Sequence, residues 1–414
     1  MVTGRERMFT WLPKEGDPLA RHFETVRGVH MGPVREGRAF SFHAANLERK
    51  HGPAFHQAWL ETALRRLASW GFNTIGNWSD QRLYRNGRIP YVATAHVDGP
   101  HARLGSGSDY WGKMHDPFDP RFAQSVADSL RPVAEKVRGD PWCVGWFVDN
   151  ELSWAGQGEE GGRYGLGLGA LSLGADAPAK RALISQLRAK YGQAAALSAA
   201  WGRPVADWSA LEAPFRPAGP LSPAMKQDLA AFVRELALRY FRTVKAELAR
   251  LDPGHLYLGC RFAWRSPDAV QACAEVADVV SFNFYVRSLQ GEGYGFLNDL
   301  GKPCIIGEFH SGALDRGMFH TGLVAARDQA DRAAMYREYV RSVVDHPALV
   351  GCHWFQWVDQ PLTGRWFDGE NYNIGFVNVA DVPYPELVAA AREVHGEAYA
   401  RRFGRGTSSR VRAR

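Results

Sequence analysis

Short apolar runs rich in β-branched and aromatic residues alternate along this chain with longer stretches whose apolar positions recur at helical spacing. Eight runs read as strands: 27–32, 73–78, 89–95, 143–148, 256–262, 279–285, 304–308 and 350–356. Segments 54–70, 122–138, 226–251 and 329–345 read as helices; in the first, Phe55, Trp59, Ala63, Leu67 and Trp70 share one face. Strands alternating with helices imply a parallel α/β architecture. Eight of them predict a closed (β/α)8 TIM barrel, because closure leaves no strand edge exposed.

The alternation breaks after the fourth run. Eight of the nineteen residues in 156–174 are glycine, which predicts a Gly-rich loop acting as a mobile lid. Its fragment Gly165-Leu-Gly-Leu-Gly169 does not qualify as a phosphate cradle, which would follow its strand directly and open a helix. Helical stretches 179–191 and 193–201 make an insertion, and 214–223 is a Pro-rich linker. The expected organisation is a lead segment 1–26, one catalytic barrel 27–400 and a basic, disordered tail 401–414.

With 414 residues, 45% hydrophobic and 12% aromatic, the chain can bury a large core, which excludes a disordered protein. Fourteen Trp fit core packing and sugar stacking equally well. The net charge of +6 points toward nucleic acid until it is located. Residues 401–414 hold six Arg and no acid, so the body is near neutral and no nucleic-acid partner is expected. The five Cys include no CxxC pair, and four lie in the strand runs as small buried hydrophobes. No apolar run reaches membrane-spanning length and the first residues lack a signal-peptide core, so the expectation is a cytoplasmic chain with no membrane partner, or a secreted one if trimmed from a precursor.

Barrel enzymes place their chemistry at the C-terminal ends of the strands. The fourth run, Cys143-Val-Gly-Trp-Phe-Val-Asp-Asn-Glu151, ends in Asp149, Asn150 and Glu151, and the seventh ends in Glu308. Two carboxylates facing each other across a barrel mouth suit glycosidic bond cleavage, one attacking the anomeric carbon and one protonating the departing oxygen. Spacing in sequence does not decide between retention and inversion. Asp149 reads as an acid that fixes backbone. His101, His115, Asp116 and Asp119 match no zinc spacing, and neither metal nor cofactor is expected.

Three stretches, Gly71-Phe-Asn-Thr-Ile-Gly-Asn-Trp-Ser-Asp80, Gly145-Trp-Phe-Val-Asp-Asn-Glu-Leu-Ser-Trp154 and Ile306-Gly-Glu-Phe-His310, resemble the family 50 β-agarases of the 4/7 retaining glycosidase clan. Leu187-Arg-Ala-Lys-Tyr-Gly192 followed by Ala200-Trp-Gly202 is similar to an insertion in family 42 β-galactosidases. The resemblance implies Glu151 as acid/base, Glu308 as nucleophile, and retaining, agarase-like hydrolysis of β-linked galactose-containing oligo- or polysaccharides. It also implies that Asn150 contacts the sugar 2-hydroxyl and that Tyr285 hydrogen-bonds the nucleophile.

The remaining expected substrate contacts are Asn77, Trp78, Asp80, Arg261, Asn283, His310, Trp354 and Trp357. The last two are three apart and cannot share a strand face, which favours Trp357. Many such agarases carry a β-sandwich before the barrel; the short lead segment here favours soluble oligosaccharides. The alternatives are a family 42-type β-galactosidase or other exo-β-glycosidase, and a catalytically silent sugar-binding barrel.

Overall fold

The structure is a computed structural model and describes residues 1–31 and 34–404. In chain order the elements are β1 (Phe23–Arg27), β2 (Glu36–Phe40), α1 (Phe42–His51), α2 (Phe55–Ser69), β3 (Tyr91–Ala95), β4 (Arg103–Leu104), β5 (Met114–His115), α3 (Phe122–Val137), β6 (Cys143–Val148) and α4 (Gly158–Leu171). There follow α5 (Pro178–Tyr191), α6 (Ala194–Trp201), α7 (Pro223–Leu251), β7 (Leu256–Tyr257), α8 (Pro267–Val276), β8 (Val280–Asn283), α9 (Phe296–Asp299), β9 (Cys304–Phe309), α10 (Gln329–Asp345), β10 (Leu349–Trp354) and α11 (Pro385–Phe403). The class is α/β. Among the described residues the ladders make sheets of two and three strands, with orders β1-β2, β3-β6-β7, β4-β5 and β10-β9-β8.

The chain divides into two units. One comprises residues 1–75, 284–294 and 308 onward; the other comprises 76–283 and 295–307. In the first, β1 and β2 form an antiparallel hairpin with Phe23 opposite Phe40 and Arg27 opposite Glu36. The strand expected at 27–32 is therefore displaced. Gly28 turns the chain at φ 72°, a conformation that favours glycine. The N–H groups of His30 and Met31 then donate to the Phe367 carbonyl instead of to a barrel neighbour (2.6 and 3.0 Å). Helix α10 runs over the predicted span, with the Asp328 carboxylate accepting from Asp331 N–H as its N-cap. It is tied to α11 by Arg337–Glu393 and Arg341–Glu397 pairs, both 2.6 Å. Arg401 and Arg402 belong to α11, where Arg401 pairs with Asp345. The remainder of the expected tail, 405–414, lies outside the described residues.

In the second unit β3, β6 and β7 are parallel, with Ala95 beside Val148 and Trp146 beside Tyr257. Parallel neighbours need crossovers, which α3 and α7 supply. Val92, Phe147, Leu258 and Val279 meet in one buried layer, with Ile305 against it. The strand expected at 73–78 does not form: the first unit ends on a single bridge residue at Ile75, and in the second Trp78 has φ 64°. The family 42-like insertion motif has a structural explanation. Lys190 Nζ, Tyr191 O–H and Trp201 Nε1–H all donate to the buried Asp228 carboxylate (2.6, 2.8 and 2.7 Å), knitting α5 and α6 to α7.

The Gly-rich segment is not a loop. It folds as α4, and its glycines are what allow that helix to pack. A Cβ on Gly169 would stand 3.1 Å from the Gly105 carbonyl carbon and closer still to its oxygen. One on Gly165 would meet Gly156 N at 2.9 Å and the Ser106 carbonyl oxygen more closely. Gly165 and Gly169 are four apart, so one helix face lies bare against the 105–106 backbone. Tertiary contact outweighs the roughly 1 kcal/mol by which each glycine disfavours a helix relative to Ala.

Candidate active site

The end of β6 is built with unusual backbone. Asp149 has φ 64°, Glu151 φ 50°, and Arg261, beyond β7, φ 56°. Non-glycine residues take this left-handed region at a cost of about 1–3 kcal/mol each, which the surrounding hydrogen bonds must outweigh. Those bonds are present. Asp149 accepts from Val97 N–H (2.7 Å) and from the Tyr240 hydroxyl, and His115 Nε2 lies 3.4 Å away. Burial opposes its charge, yet His115, Tyr240 and the Val97 amide hold the carboxyl below its ordinary range. The backbone-fixing role expected of Asp149 is the one its contacts describe.

Arg261 is buried. Its Nη1–H donates to Asn150 Oδ1 (2.9 Å) and its Nη2–H to the Gly307 carbonyl (2.7 Å). Asn283 Nδ2 donates to the same Asn150 oxygen (3.3 Å) and to Glu151 Oε1 (2.9 Å). With both donors on its oxygen, Asn150 turns its amide N–H2 away from them, the orientation needed to donate to an acceptor such as a sugar hydroxyl. Gly307 makes room for this network, because a Cβ there would lie 2.6 Å from Arg261 Nε and 2.8 Å from Asn283 Oδ1.

Glu151 also accepts from Trp111 Nε1–H at 2.9 Å. Trp111 was not anticipated from sequence. It sits at the tip of the β4–β5 hairpin, whose two-residue strands are too short to show periodicity. The one available signal was the aromatic pair Tyr110-Trp111 inside a run of Gly and Ser. The histidines weighed as metal ligands form a chain instead. His101 Nε2 lies 2.7 Å from His115 Nδ1, and His115 leads to Asp149. Burial, with His115 adding to it, pushes His101 down to about 4. Asp116 accepts from Ala179 N–H at the start of α5, and Asp119 from Ala102 N–H and Arg121. Among the described residues no three His, Cys, Asp or Glu side chains converge to hold a metal.

The expected contacts near residue 78 divide. Trp78 lies over His96 (5.2 Å, 14° between planes), has the Arg261 guanidinium 5.6 Å from its ring centre, and is 48% exposed. Asn77 Oδ1 accepts from the Thr94 hydroxyl. Asp80 caps the following turn through Arg82 N–H and holds the Arg82 guanidinium, which occupies both its oxygens.

In the other unit, Glu308 is the penultimate residue of β9 and its Oε2 accepts from the Tyr285 hydroxyl, the partner the family resemblance implied. His310 is buried among the rings of Tyr285, Phe355 and Tyr372, and its Nε2 accepts from Leu323 N–H at 2.9 Å. Burial, with Arg332 adding to it, pushes it down to about 3, so it is a neutral anchor for the 320–324 segment. Trp354 donates to the Ile374 carbonyl and packs against Phe309 and Phe376. One face of Trp357 stacks on Trp70 at 5.2 Å. Glu370, absent from the sequence expectations, accepts from Gln360 and pairs with Arg365 (2.7 and 2.6 Å). Burial pushes its carboxyl up and the charges of Asp368 and Glu308 add to that rise, while Arg365 and Gln360 oppose it.

No protein-family model matches the chain. β-Agarase B of Vibrio sp. (strain JT0107) is 44% identical over 407 residues, 96% of this chain and 43% of that protein. β-Agarase A of the same strain is 43% identical over 411 residues, 94% of this chain and 40% of that one. The solved structure of an exo-β-agarase superposes with a TM-score of 0.94 at 42% identity, covering 96% of this chain and 54% of that chain. The chain thus spans about half the length of the relatives it matches. By sequence and by fold over nearly all of its own length, the chain is β-agarase-like.

Proposed function

We propose that the chain is a retaining glycoside hydrolase that cleaves β-linked galactose-containing oligo- or polysaccharides, agarase-like, with Glu308 as nucleophile and Glu151 as acid/base. The strand-ending carboxylates, each with its own set of donors, lie within sequence shared with β-agarases, and that observation carries the reading. In the first step a Glu308 carboxylate oxygen bonds to the anomeric carbon, the glycosidic C–O bond breaks, and the Glu151 proton passes to the departing oxygen. In the second, Glu151 takes a proton from water as that water displaces Glu308, restoring both groups and the configuration. Tyr285 orients Glu308; Asn283 and Trp111 orient Glu151; Arg261 and Asn283 present the Asn150 amide to the 2-hydroxyl. Residues 27–400 are proposed as one (β/α)8 barrel closed in the manner of this family.

Incubation with neoagarotetraose and, in parallel, a nitrophenyl β-galactoside, with Glu308→Ala as control, tests the assignment. Tetraose cleavage that the variant loses is expected. Cleavage of the galactoside alone would move the chain to a β-galactosidase reading, and turnover that survives Glu308→Ala would remove Glu308 from the chemistry.

A further inference from the structure

Behind the strand that carries Glu308, between the end of β9 and helix α10, lies a cavity of about 10 Å³. Most of the polar groups around it are already bonded. The Tyr339 hydroxyl donates to the Phe284 carbonyl (2.9 Å), Trp354 Nε1–H to the Ile374 carbonyl (2.8 Å), and the Tyr336 hydroxyl meets His395 Nε2 (2.8 Å). Arg287 Nε–H donates outward to Glu338 (2.7 Å). Among the described residues neither His310 Nδ1 nor the Ser311 hydroxyl has a hydrogen-bond partner, although both side chains line the cavity and each residue is only 3% exposed.

The hydrogen bonds of His310 decide which nitrogen carries its proton. Nε2 accepts from Leu323 N–H at 2.9 Å, so it bears no hydrogen. Burial holds the ring neutral, which leaves its single proton on Nδ1. The Phe355 carbonyl is close enough to favour a proton on the ring but falls short of a hydrogen bond to Nδ1. A buried N–H without an acceptor gives up a bond that water supplies in the unfolded chain. The Ser311 hydroxyl poses the same problem one residue along the chain.

We propose that this cavity is the site of one buried water molecule, which accepts from His310 Nδ1–H and bonds the Ser311 hydroxyl. A buried water needs about 10–15 Å³ and two to four polar partners. The cavity has room for one, and its two unpaired groups supply the partners. With the water bound, His310 is fixed as the Nδ1–H tautomer, and its Nε2 stays an acceptor for Leu323. The same ring packs on Tyr285 at 4.6 Å, and the Tyr285 hydroxyl bonds Glu308, so the water supports the residue that orients the proposed nucleophile. The site itself does not depend on the hydrolase reading.

A crystal structure of the chain at a resolution that shows ordered water, with a 15N spectrum of histidine-labelled protein, tests the site. Density should lie about 2.7–3.2 Å from both His310 Nδ1 and Ser311 Oγ, and the His310 proton should be on Nδ1. An empty cavity, a direct bond from Nδ1 to the Phe355 carbonyl, or a proton on Nε2 would overturn the inference. Amide exchange in Ser311→Ala gives a second reading. Loss of the hydroxyl weakens the water's hold on His310, so Leu323 N–H should exchange about fivefold faster, the fold-change for one neutral hydrogen bond. Ala326 N–H is the internal control, since it donates to the Gly312 carbonyl (2.8 Å) and not to imidazole, and should not change. Equal Leu323 exchange in variant and wild type, or equal acceleration at both amides, would overturn the role of the water in fixing the ring.

Discussion

Replacing Gly169 by Ala sets helix propensity against packing. In an isolated helix the change is favourable by about 1 kcal/mol. Here the added methyl would lie 3.1 Å from the Gly105 carbonyl carbon and nearer still to its oxygen. The obstructing atoms are backbone, which cannot swing aside as a long side chain can, so helix and hairpin must separate. Overpacking of this kind costs about 1–3 kcal/mol, which exceeds the propensity gain over most of that range. Gly162 is the internal control. It lies on the same helix, and a methyl added there would have nothing within 4 Å, so Gly162→Ala should be neutral or stabilising. The displaced segment begins the loop that carries Trp111, and a shift near 1 Å would break the 2.9 Å bond to Glu151. Misplacement on that scale costs up to about 100-fold in rate. Urea unfolding and kcat on neoagarotetraose should therefore fall together in Gly169→Ala, and neither in Gly162→Ala. A Gly169→Ala protein as stable and as active as wild type would refute the packing argument and the coupling of α4 to Glu151.

Further outcomes follow from the buried hydrogen-bond networks. Tyr285→Phe removes the O–H that orients Glu308, an interaction with a charged group worth about 2 kcal/mol, and should lower kcat about 30-fold with little change in the urea midpoint; full activity would sever Tyr285 from the nucleophile. Asp228→Ala strands three donors from α5 and α6 and should destabilise the chain by about 2–4 kcal/mol; a loss below about 0.5 kcal/mol would show that the insertion does not depend on this junction. Asp149 is held below its ordinary range by its partners, so its ionised form stabilises the fold above the unfolded value near about 4 and that contribution fades as pH falls through the folded value. The stability gap between wild type and Asp149→Asn should accordingly be widest near neutral pH and narrow in acid; a gap independent of pH would contradict this.

The helices were legible where an apolar stripe faces a core. Segment 329–345 is α10 residue for residue, because Tyr336, Tyr339, Val340 and Val343 bury one face and Asp328 marks the start. The strand ends bearing Glu151 and Glu308 were legible for a similar reason, a short apolar run stopping at an acid. Two first strands were misplaced because the sequence does not show where backbone turns left-handed, as at Gly28 and Trp78. The 156–174 segment misled because glycine content reports intrinsic preference, whereas the hairpin beneath α4 sets the requirement there. Trp111 and Tyr240 became visible only with the fold, since each acts on a residue distant in sequence.

The central claim is that Glu308 forms the covalent bond to sugar. A 2-deoxy-2-fluoro β-glycoside of neoagarobiose with a good leaving group should slow the second step and trap that intermediate. Peptide mass mapping of the inactivated protein should place a single glycosyl adduct on Glu308, and Glu308→Ala should take none. An adduct on Glu151, Glu370 or any other residue would contradict the assignment.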